Sequence, residues 1–306
     1  MQHQSPHTHF TVALEALITD IKQDRSILAA ILCGSLAYDT VWARSDIDLV
    51  LITIDDKKVD AGGKALYADG VNVHALLMPR TRFRQTVEGA LTSSFMQSFL
   101  AKGRLLYTHD PSIAELCAQL HNRGARDVTL QLLRAATEAL ACIYKAHKWL
   151  LTRQDLEYTS LWILYALQGL AQIELLERGQ LLDREVIPQA MAANPAFFQQ
   201  VYVDLLNTRK TLEDVQRALQ AVDAYVAQRT EKLFAPIFEH LREAGEVRAA
   251  SEIEAHFERN FGVSGVTTAC EYLADRSLLG KAATTTQLTR RSNASVQELA
   301  FYSLSR

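Results

Sequence analysis

The sequence predicts an α+β fold in which a small mixed β-sheet domain is followed by a helical bundle domain and a C-terminal region of two helices and a β-hairpin. Short apolar runs alternate with helical patterns up to about residue 125, which is typical of a mixed sheet with helices packed on it. Apolar residues then recur at helical spacing, almost without interruption, to about residue 246. The expected domains are therefore 1–125, 126–246 and 247–306.

Composition and charge narrow the class of protein. Hydrophobic residues make up 48% of the 306 residues and charged residues 22%, which is ordinary for a globular protein of two or three domains. The formal charge is 32 − 35 = −3, which argues against a protein that coats nucleic acid by bulk electrostatics. No apolar run approaches the roughly 20 residues of a membrane span, and the polar N-terminus lacks a secretory pattern. We therefore expect a cytoplasmic protein with no membrane partner.

The cysteines support the same location. They stand singly in apolar contexts, with no close pairing that would suggest a zinc site or a disulfide framework, at Cys33, Cys117, Cys142 and Cys270. Buried single cysteines of this kind behave as small hydrophobic residues in a reducing compartment.

The predicted elements of the first domain follow the periods of their apolar residues. They are helices at 10–24 and 82–103 and strands at 27–33, 46–54, 71–78 and 104–107. The polar, glycine-containing stretch at 55–70 is predicted to be a linker. Pro79 ends the strand at 71–78, because proline lacks the N–H that a strand ladder needs.

Two acidic residues at the start of a buried strand are the strongest chemical signal in the chain. Side chains alternate faces in a strand, so Asp46 and Asp48 project together from one face while Ile47 enters the core. Paired carboxylates repel each other without a cation, and Mg²⁺ accepts carboxylate and phosphate oxygens. Upstream, Gly34 and Ser35 form a turn of the type whose N–H groups can hold phosphate oxygens.

Together these residues resemble the signature of the nucleotidyltransferase superfamily built on the DNA polymerase beta fold, especially its small bacterial, aminoglycoside nucleotidyltransferase-like members. The matching positions are Gly34, Ser35, Ala37, Ser45, Asp46, Ile47, Asp48 and Leu49. The resemblance implies Mg²⁺-dependent transfer of a nucleoside monophosphate from an NTP, with ATP the first choice, to a hydroxyl of a small-molecule or protein acceptor. It also implies that Asp46 and Asp48 bind the metal and that Gly34, Ser35 and Ser45 bind the nucleotide.

The third acidic residue of that signature is replaced here. Family members usually carry it on a later strand beside the first two, and the matching position in the strand at 71–78 is His74. Histidine can ligate a metal or act as a general base, but it brings no negative charge and does not prefer Mg²⁺. The predicted catalytic set is therefore Asp46, Asp48 and His74. The substitution also suggests an alternative, a nucleotide-sensing transcriptional regulator with an altered catalytic site.

A basic cluster follows the strand that carries His74. Arg80, Arg82 and Arg84 lie within five residues. They are interpreted either as the solvated start of a helix or as a source of a guanidinium for the triphosphate, for which its planar fork is suited. On the second interpretation Arg80 and Arg82 are nucleotide-binding residues.

The second domain is predicted to be helical throughout. Its helices are expected at 128–152, 156–178, 187–193, 196–207 and 211–244, the last bent at Pro236. In members of the resembled family a helical domain of this kind carries the acceptor pocket.

Residues 247–306 resemble a winged helix, with a helix, a turn at Gly262, a second helix at 264–275 and two strand-forming runs. DNA is therefore a candidate partner, through Lys281, Arg290 and Arg291. Seven basic and six acidic residues leave this region at 7 − 6 = +1, which is poor for reading a duplex. The alternatives for this region are domain packing or contacts in a homodimer. For the chain as a whole, the resemblance leaves a third hypothesis, a binding module that pairs with a separate partner, as some small members of the superfamily do.

Overall fold

The computed structural model describes residues 6–38, 41–57, 61–88, 94–120, 125–182, 185–289, 291 and 293–304. The chain folds into two compact units, Met1–Gly124 and Ala125–Arg306. The first unit holds a mixed sheet and the second is mainly helical, so the α+β fold class predicted from the sequence is confirmed.

The first unit is built on a five-stranded mixed sheet. Its elements are α1 (Pro6–Ile21), β1 (Ile27–Cys33), α2 (Gly34–Ala37), β2 (Ile47–Thr53), β3 (Gly62–Ala68), β4 (Val71–Pro79), α3 (Arg80–Val87), α4 (Ser94–Ala101), β5 (Arg104–Thr108) and α5 (Pro111–Gln119). The strand order is β3-β4-β2-β1-β5. β2 and β4 are parallel, and the other three neighbouring pairs are antiparallel.

One face of this sheet packs against α1 and forms the hydrophobic core of the first unit. Ile47, Leu49 and Val73 of β2 and β4 lie in one buried cluster with Phe10 and Leu14 of α1. Successive side chains of a strand point to opposite faces. The residues between them in β2 and β4 are therefore presented on the face away from α1.

The linker predicted at 55–70 is wrong in part, because it contains the edge strand β3. Most side chains of β3 are exposed or half-buried, so the sequence lacks the apolar alternation that reveals a strand. The turn into β4 is made by Asp69 and Gly70 with φ of 45° and 81°, and Asp-Gly is a known hairpin signal. The single helix predicted at 82–103 is also wrong. It consists of α3 and α4 within the part of the chain that the structure describes.

The second unit combines a helical bundle with a small sheet. Its elements are α6 (Ala125–Arg153), α7 (Leu156–Glu177), α8 (Val186–Ala193), α9 (Pro195–Phe198), a π-helical turn (Gln199–Val203), α10 (Asp204–Asn207), α11 (Leu212–Ala227), α12 (Thr230–Leu233), α13 (Ala235–Ala244), β6 (Arg248–Ala249), α14 (Ala250–Phe261), α15 (Val266–Asp275), β7 (Leu279–Gln287) and β8 (Ser295–Ser303). The three strands are antiparallel in the order β6-β8-β7. Within the described ranges, no helix combines the length and apolar character that a membrane crossing needs.

A single hydrophobic core joins the bundle to the C-terminal elements. It runs from Leu132 on α6 to Phe301 on β8. A guanidinium nitrogen of Arg134 on α6 also donates to the carbonyl oxygens of Phe261 and Gly262, at 3.1 and 3.0 Å. The described residues between 247 and 304 therefore pack in one unit with the helices before them.

The helix predicted at 211–244 is broken earlier than expected. α11 ends at Ala227, before α12 and α13, and Pro236 lies in the first turn of α13. Proline is tolerated there because the N–H groups of a first turn have no partner inside the helix. Pro236 therefore begins a helix instead of bending one.

A buried carboxylate connects three helical segments of the second unit. Glu174 is 4% exposed and accepts hydrogen bonds from Arg178 Nε, Asn194 Nδ2 and the Tyr225 hydroxyl at 2.8, 3.0 and 2.9 Å. Burial disfavours its charge, but the hydrogen bonds from Asn194, Arg178 and Tyr225 outweigh burial and lower its pKa. Its contribution to stability is therefore complete above the ordinary pKa of 4.5 and is lost as the pH falls toward the lowered value.

We expect Glu174→Ala to lower the free energy of unfolding of the second unit by about 1–3 kcal/mol, because it leaves the buried hydroxyl of Tyr225 and the half-buried amide of Asn194 without this partner. The matched control is Glu213→Ala, which removes another i,i+4 pair at 2.8 Å, to Arg217, from a side chain that is 84% exposed. That loss should be about 0.5 kcal/mol or less. Urea denaturation at neutral pH measures both, and equal losses would contradict the prediction.

Candidate functional site

Three predicted site residues come together on the sheet. Asp46 immediately precedes β2, Asp48 is its second residue, and the parallel register places His74 of β4 directly beside Asp48. His74 Nδ1 lies 2.8 Å from Asp46 Oδ2. One ligand atom from each of the three residues can be chosen so that all lie within 4.8 Å of one another. The residues are therefore close enough to share one metal ion.

The buried face of the same strands fixes this cluster. Ile47, Leu49 and Val73 are at most 1% exposed, so β2 and β4 cannot rotate without exposing the core. On the other face the side chains of Asp46 and His74 are 39% and 61% exposed. A ligand from solvent can therefore reach the cluster.

The turn after β1 makes room for one of the carboxylates. Gly34 has φ of +66°, in the left-handed region that favours glycine. A Cβ at this position would collide with the carboxylate of Asp48. Gly34 is thus required both by its backbone conformation and by close packing, and it brings Ser35 of α2 near the acidic pair.

The thiol beside this turn is not part of the ligand set. Cys33 pairs with Asp48 across β1 and β2. Burial raises the pKa of the Cys33 thiol, and the nearby Asp48 and Cys117 raise it further. Among the described residues, the group whose ligand atoms lie within 4.8 Å of one another consists of Asp46, Asp48 and His74 and does not include Cys33.

Ser45 closes the loop that leads into β2. Its Oγ accepts a hydrogen bond from the backbone N–H of Trp42 at 3.1 Å, and its own N–H donates to the Trp42 carbonyl oxygen at 2.9 Å. The side chain is adjacent to Asp46 in the chain, and its observed contact stabilises the loop.

The structure does not bring Arg80 and Arg82 to the cluster. Both follow Pro79, which pairs with Thr53 at the far end of β2, and the five residues from His74 to Pro79 span about 16 Å. Arg80 Nε lies 2.8 Å from Asp110 Oδ2, so Arg80 ties α3 to the start of α5. Arg82 is exposed on α3. The interpretation of these residues as the start of a helix matches the structure.

An open cavity of about 320 Å³ adjoins the cluster. Asp48 and His74 line it, together with Gly63 and Lys64 of β3 and Phe99 of α4. The sequence does not reveal Gly63 and Lys64, because it predicts a linker at 55–70, and it gives no signal that Phe99 faces the same cavity. The Asp-Gly turn after β3 was the signal that could have found the strand and its lysine.

The donor set fits a divalent cation. Two carboxylates and an imidazole supply two oxygen ligands and one nitrogen ligand, and the exposure of the cluster leaves room for water or a substrate oxygen. The two carboxylates suit Mg²⁺, which binds oxygen almost exclusively. The imidazole does not suit Mg²⁺, because it offers a nitrogen ligand.

Comparisons with known proteins identify the fold. No family model and no curated protein matches this sequence. Among solved structures, the crystal structure of a nucleotidyltransferase-like protein from Exiguobacterium sibiricum 255-15 matches with a TM-score of 0.63 and 17% sequence identity. The match covers 96% of this chain and 99% of that chain. At this identity the similarity shows the fold, which is that of a nucleotidyltransferase-like protein.

We expect Gly34→Ala to destabilise the first unit and to displace the carboxylate of Asp48. The left-handed backbone alone should cost about 1–2 kcal/mol, and the collision adds to this loss. Gly70→Ala is the matched control in the same unit, since Gly70 has φ of +81° but a Cβ there would meet only His9, at 3.8 Å. Urea denaturation measures the stabilities, and calorimetry with Mn²⁺ measures binding at the cluster. Equal losses of stability with unchanged Mn²⁺ binding in both variants would contradict the close packing of Gly34 against Asp48.

Proposed function

We propose that this chain is a nucleotidyltransferase that moves a nucleoside monophosphate from an NTP, with ATP the first choice, to a hydroxyl of a small-molecule or protein acceptor. The observation that carries the proposal is the cluster of Asp46, Asp48 and His74, in which Asp48 packs against Gly34 and lines an open cavity. The nucleotidyltransferase-like fold supports it. A fold alone does not define an activity, so the proposal rests on this site.

Each residue of the site would have its own role in the transfer. The hydroxyl oxygen attacks the α-phosphorus, the bond from that phosphorus to the bridging oxygen breaks, and pyrophosphate leaves. Asp46 and Asp48 would hold Mg²⁺, which neutralises the triphosphate and orients it for in-line attack. Gly34 and Ser35 would hold the β- and γ-phosphates. The proton of the hydroxyl passes to a base, for which the imidazole of His74 and solvent are the candidates.

Calorimetry of each NTP with Mg²⁺ tests the proposal. We expect at least one NTP to bind the wild type and none to bind the Asp46→Asn, Asp48→Asn double variant. The amides lack the negative charge that holds the cation against the triphosphate. The Glu15→Gln, Asp20→Asn double variant removes the same charge from exposed positions of α1 and should bind like the wild type. Binding retained by the Asp46, Asp48 variant, or absent from the wild type for every NTP, would overturn the proposal.

A second candidate is a nucleotide-sensing regulator that binds DNA through residues 247–306. The observation that favours it is the order of elements, since two helices precede a hairpin whose sheet β6 completes. The charge of +1 from seven basic and six acidic residues weighs against it. The guanidinium of Arg276, the residue after α15, is also stacked on Tyr272, at 3.7 Å from the ring centre. Of the predicted phosphate contacts, Lys281 lies on β7, whereas Arg290 lies outside the described residues.

A mobility-shift screen with genomic fragments at low ionic strength separates the two candidates. Phosphate contacts release counterions, so a true DNA complex should weaken steeply as salt is added. The enzyme proposal predicts no salt-sensitive shift. A shift that is lost in a Lys281→Ala, Arg291→Ala variant would establish the regulator.

A further inference from the structure

We infer that His74 is the third metal ligand of the cluster and that the cluster binds a first-row transition-metal cation in preference to Mg²⁺. The inference deepens the proposed function and rests on it for the role of the ion. Binding of the ion itself requires neither nucleotide nor acceptor. His74 would then coordinate the metal, and the proton of the attacking hydroxyl would pass to solvent.

The spacing of the donors suits a shared ion. At bond lengths of about 2.1 Å, neighbouring ligand atoms on one ion lie about 3 Å apart and opposite ones about 4.2 Å apart. His74 Nδ1 and Asp46 Oδ2 are 2.8 Å apart, and the full set spans up to 4.8 Å. Rotations of the half-exposed side chains close this difference, while the paired strands stay in place.

The chemistry of the donors selects the class of cation. Imidazole nitrogen favours Zn²⁺ and other transition metals, whereas Mg²⁺ favours oxygen ligands and keeps its waters. As a ligand, the imidazole of His74 brings no negative charge, so both negative charges of the cluster come from Asp46 and Asp48. A neutral nitrogen ligand contributes to affinity only with an ion that binds nitrogen well. Zn²⁺ and Mn²⁺ should therefore both bind more tightly than Mg²⁺, with Zn²⁺ the tightest.

The surroundings leave the cluster open on one side. Asp46 and His74 remain partly exposed, and the adjoining cavity of about 320 Å³ is lined by Asp48 and His74 themselves. Three protein ligands with an open position are typical of catalytic rather than structural metal sites. In the part of the chain that the structure describes, no other group of three His, Cys, Asp or Glu residues is close enough to bind one ion. One ion per chain is therefore expected.

The test uses the metal-free full chain without nucleotide. His3→Asn and His7→Asn are introduced in every protein, because histidines of the N-terminal segment could bind Zn²⁺ adventitiously. Calorimetry compares Mg²⁺, Mn²⁺ and Zn²⁺, and pulsed electron paramagnetic resonance of bound Mn²⁺ detects coupling to a ligating nitrogen. The variants are His74→Asn, which removes the ligand, and His74→Asp, which replaces nitrogen with a carboxylate. His109→Asn, in the turn before α5, is the control.

We expect one ion per chain. Nitrogen coupling should be present in the starting protein and in the His109→Asn control, and it should be absent from the two His74 variants. His74→Asn should lose at least about tenfold in Mn²⁺ affinity. His74→Asp should gain affinity for Mg²⁺ relative to Zn²⁺. Equal affinity for Mg²⁺ and Mn²⁺ in the starting protein, or nitrogen coupling that survives His74→Asn, would overturn the inference. If the chain binds NTP with Mg²⁺ but gives either of these two contradicting results, the proposed function stands and only the assignment of His74 as a metal ligand is overturned.

Discussion

The parallel pairing of β2 with β4 is the constraint on which the site depends. One register places Asp48 beside His74, puts Ile47 and Val73 into the core, and leaves the polar side chains on the open face. A slip of one residue would bury the acid and expose the apolar side chains, because the side-chain period of a strand is two. The hydrophobic core of the first unit is therefore also what holds Asp46, Asp48 and His74 in place.

Local signals explain what the sequence could predict of this unit. The strongly apolar strands, and the acids at the start of β2, carry their pattern within a few residues, so the sheet core and the cluster around His74 were predictable. β3 was missed because an exposed edge strand has no apolar face to display, and Lys64 was missed with it. The distance of Arg80 from the cluster was not predictable from its closeness to His74 in sequence, because a strand carries residues that are close in sequence to opposite ends of a sheet.

In the C-terminal region the helices and strands could be predicted from the sequence, but their packing could not. Its helices and hairpin lie close to where periodicity and Gly262 placed them. Their packing was not predictable, because it depends on contacts far apart in sequence, such as those of Arg134 with Phe261 and Gly262. The order of elements defines only the fold of this region. Whether the region can bind nucleic acid depends on the charge of its surface.

The contact between Gly34 and Asp48 bears on how tightly an ion can be held. The carboxylate occupies the space that a Cβ at position 34 would fill, so any side chain there would force Asp48 to another position. Immobilising a flexible side chain on binding costs about 0.5–1.5 kcal/mol, and returning a displaced carboxylate to this position would add a cost of this kind to the binding of an ion. Gly34 thus keeps the position of Asp48 open, whereas the side chains of Asp46 and His74, which are 39% and 61% exposed, can adjust to the size of an ion.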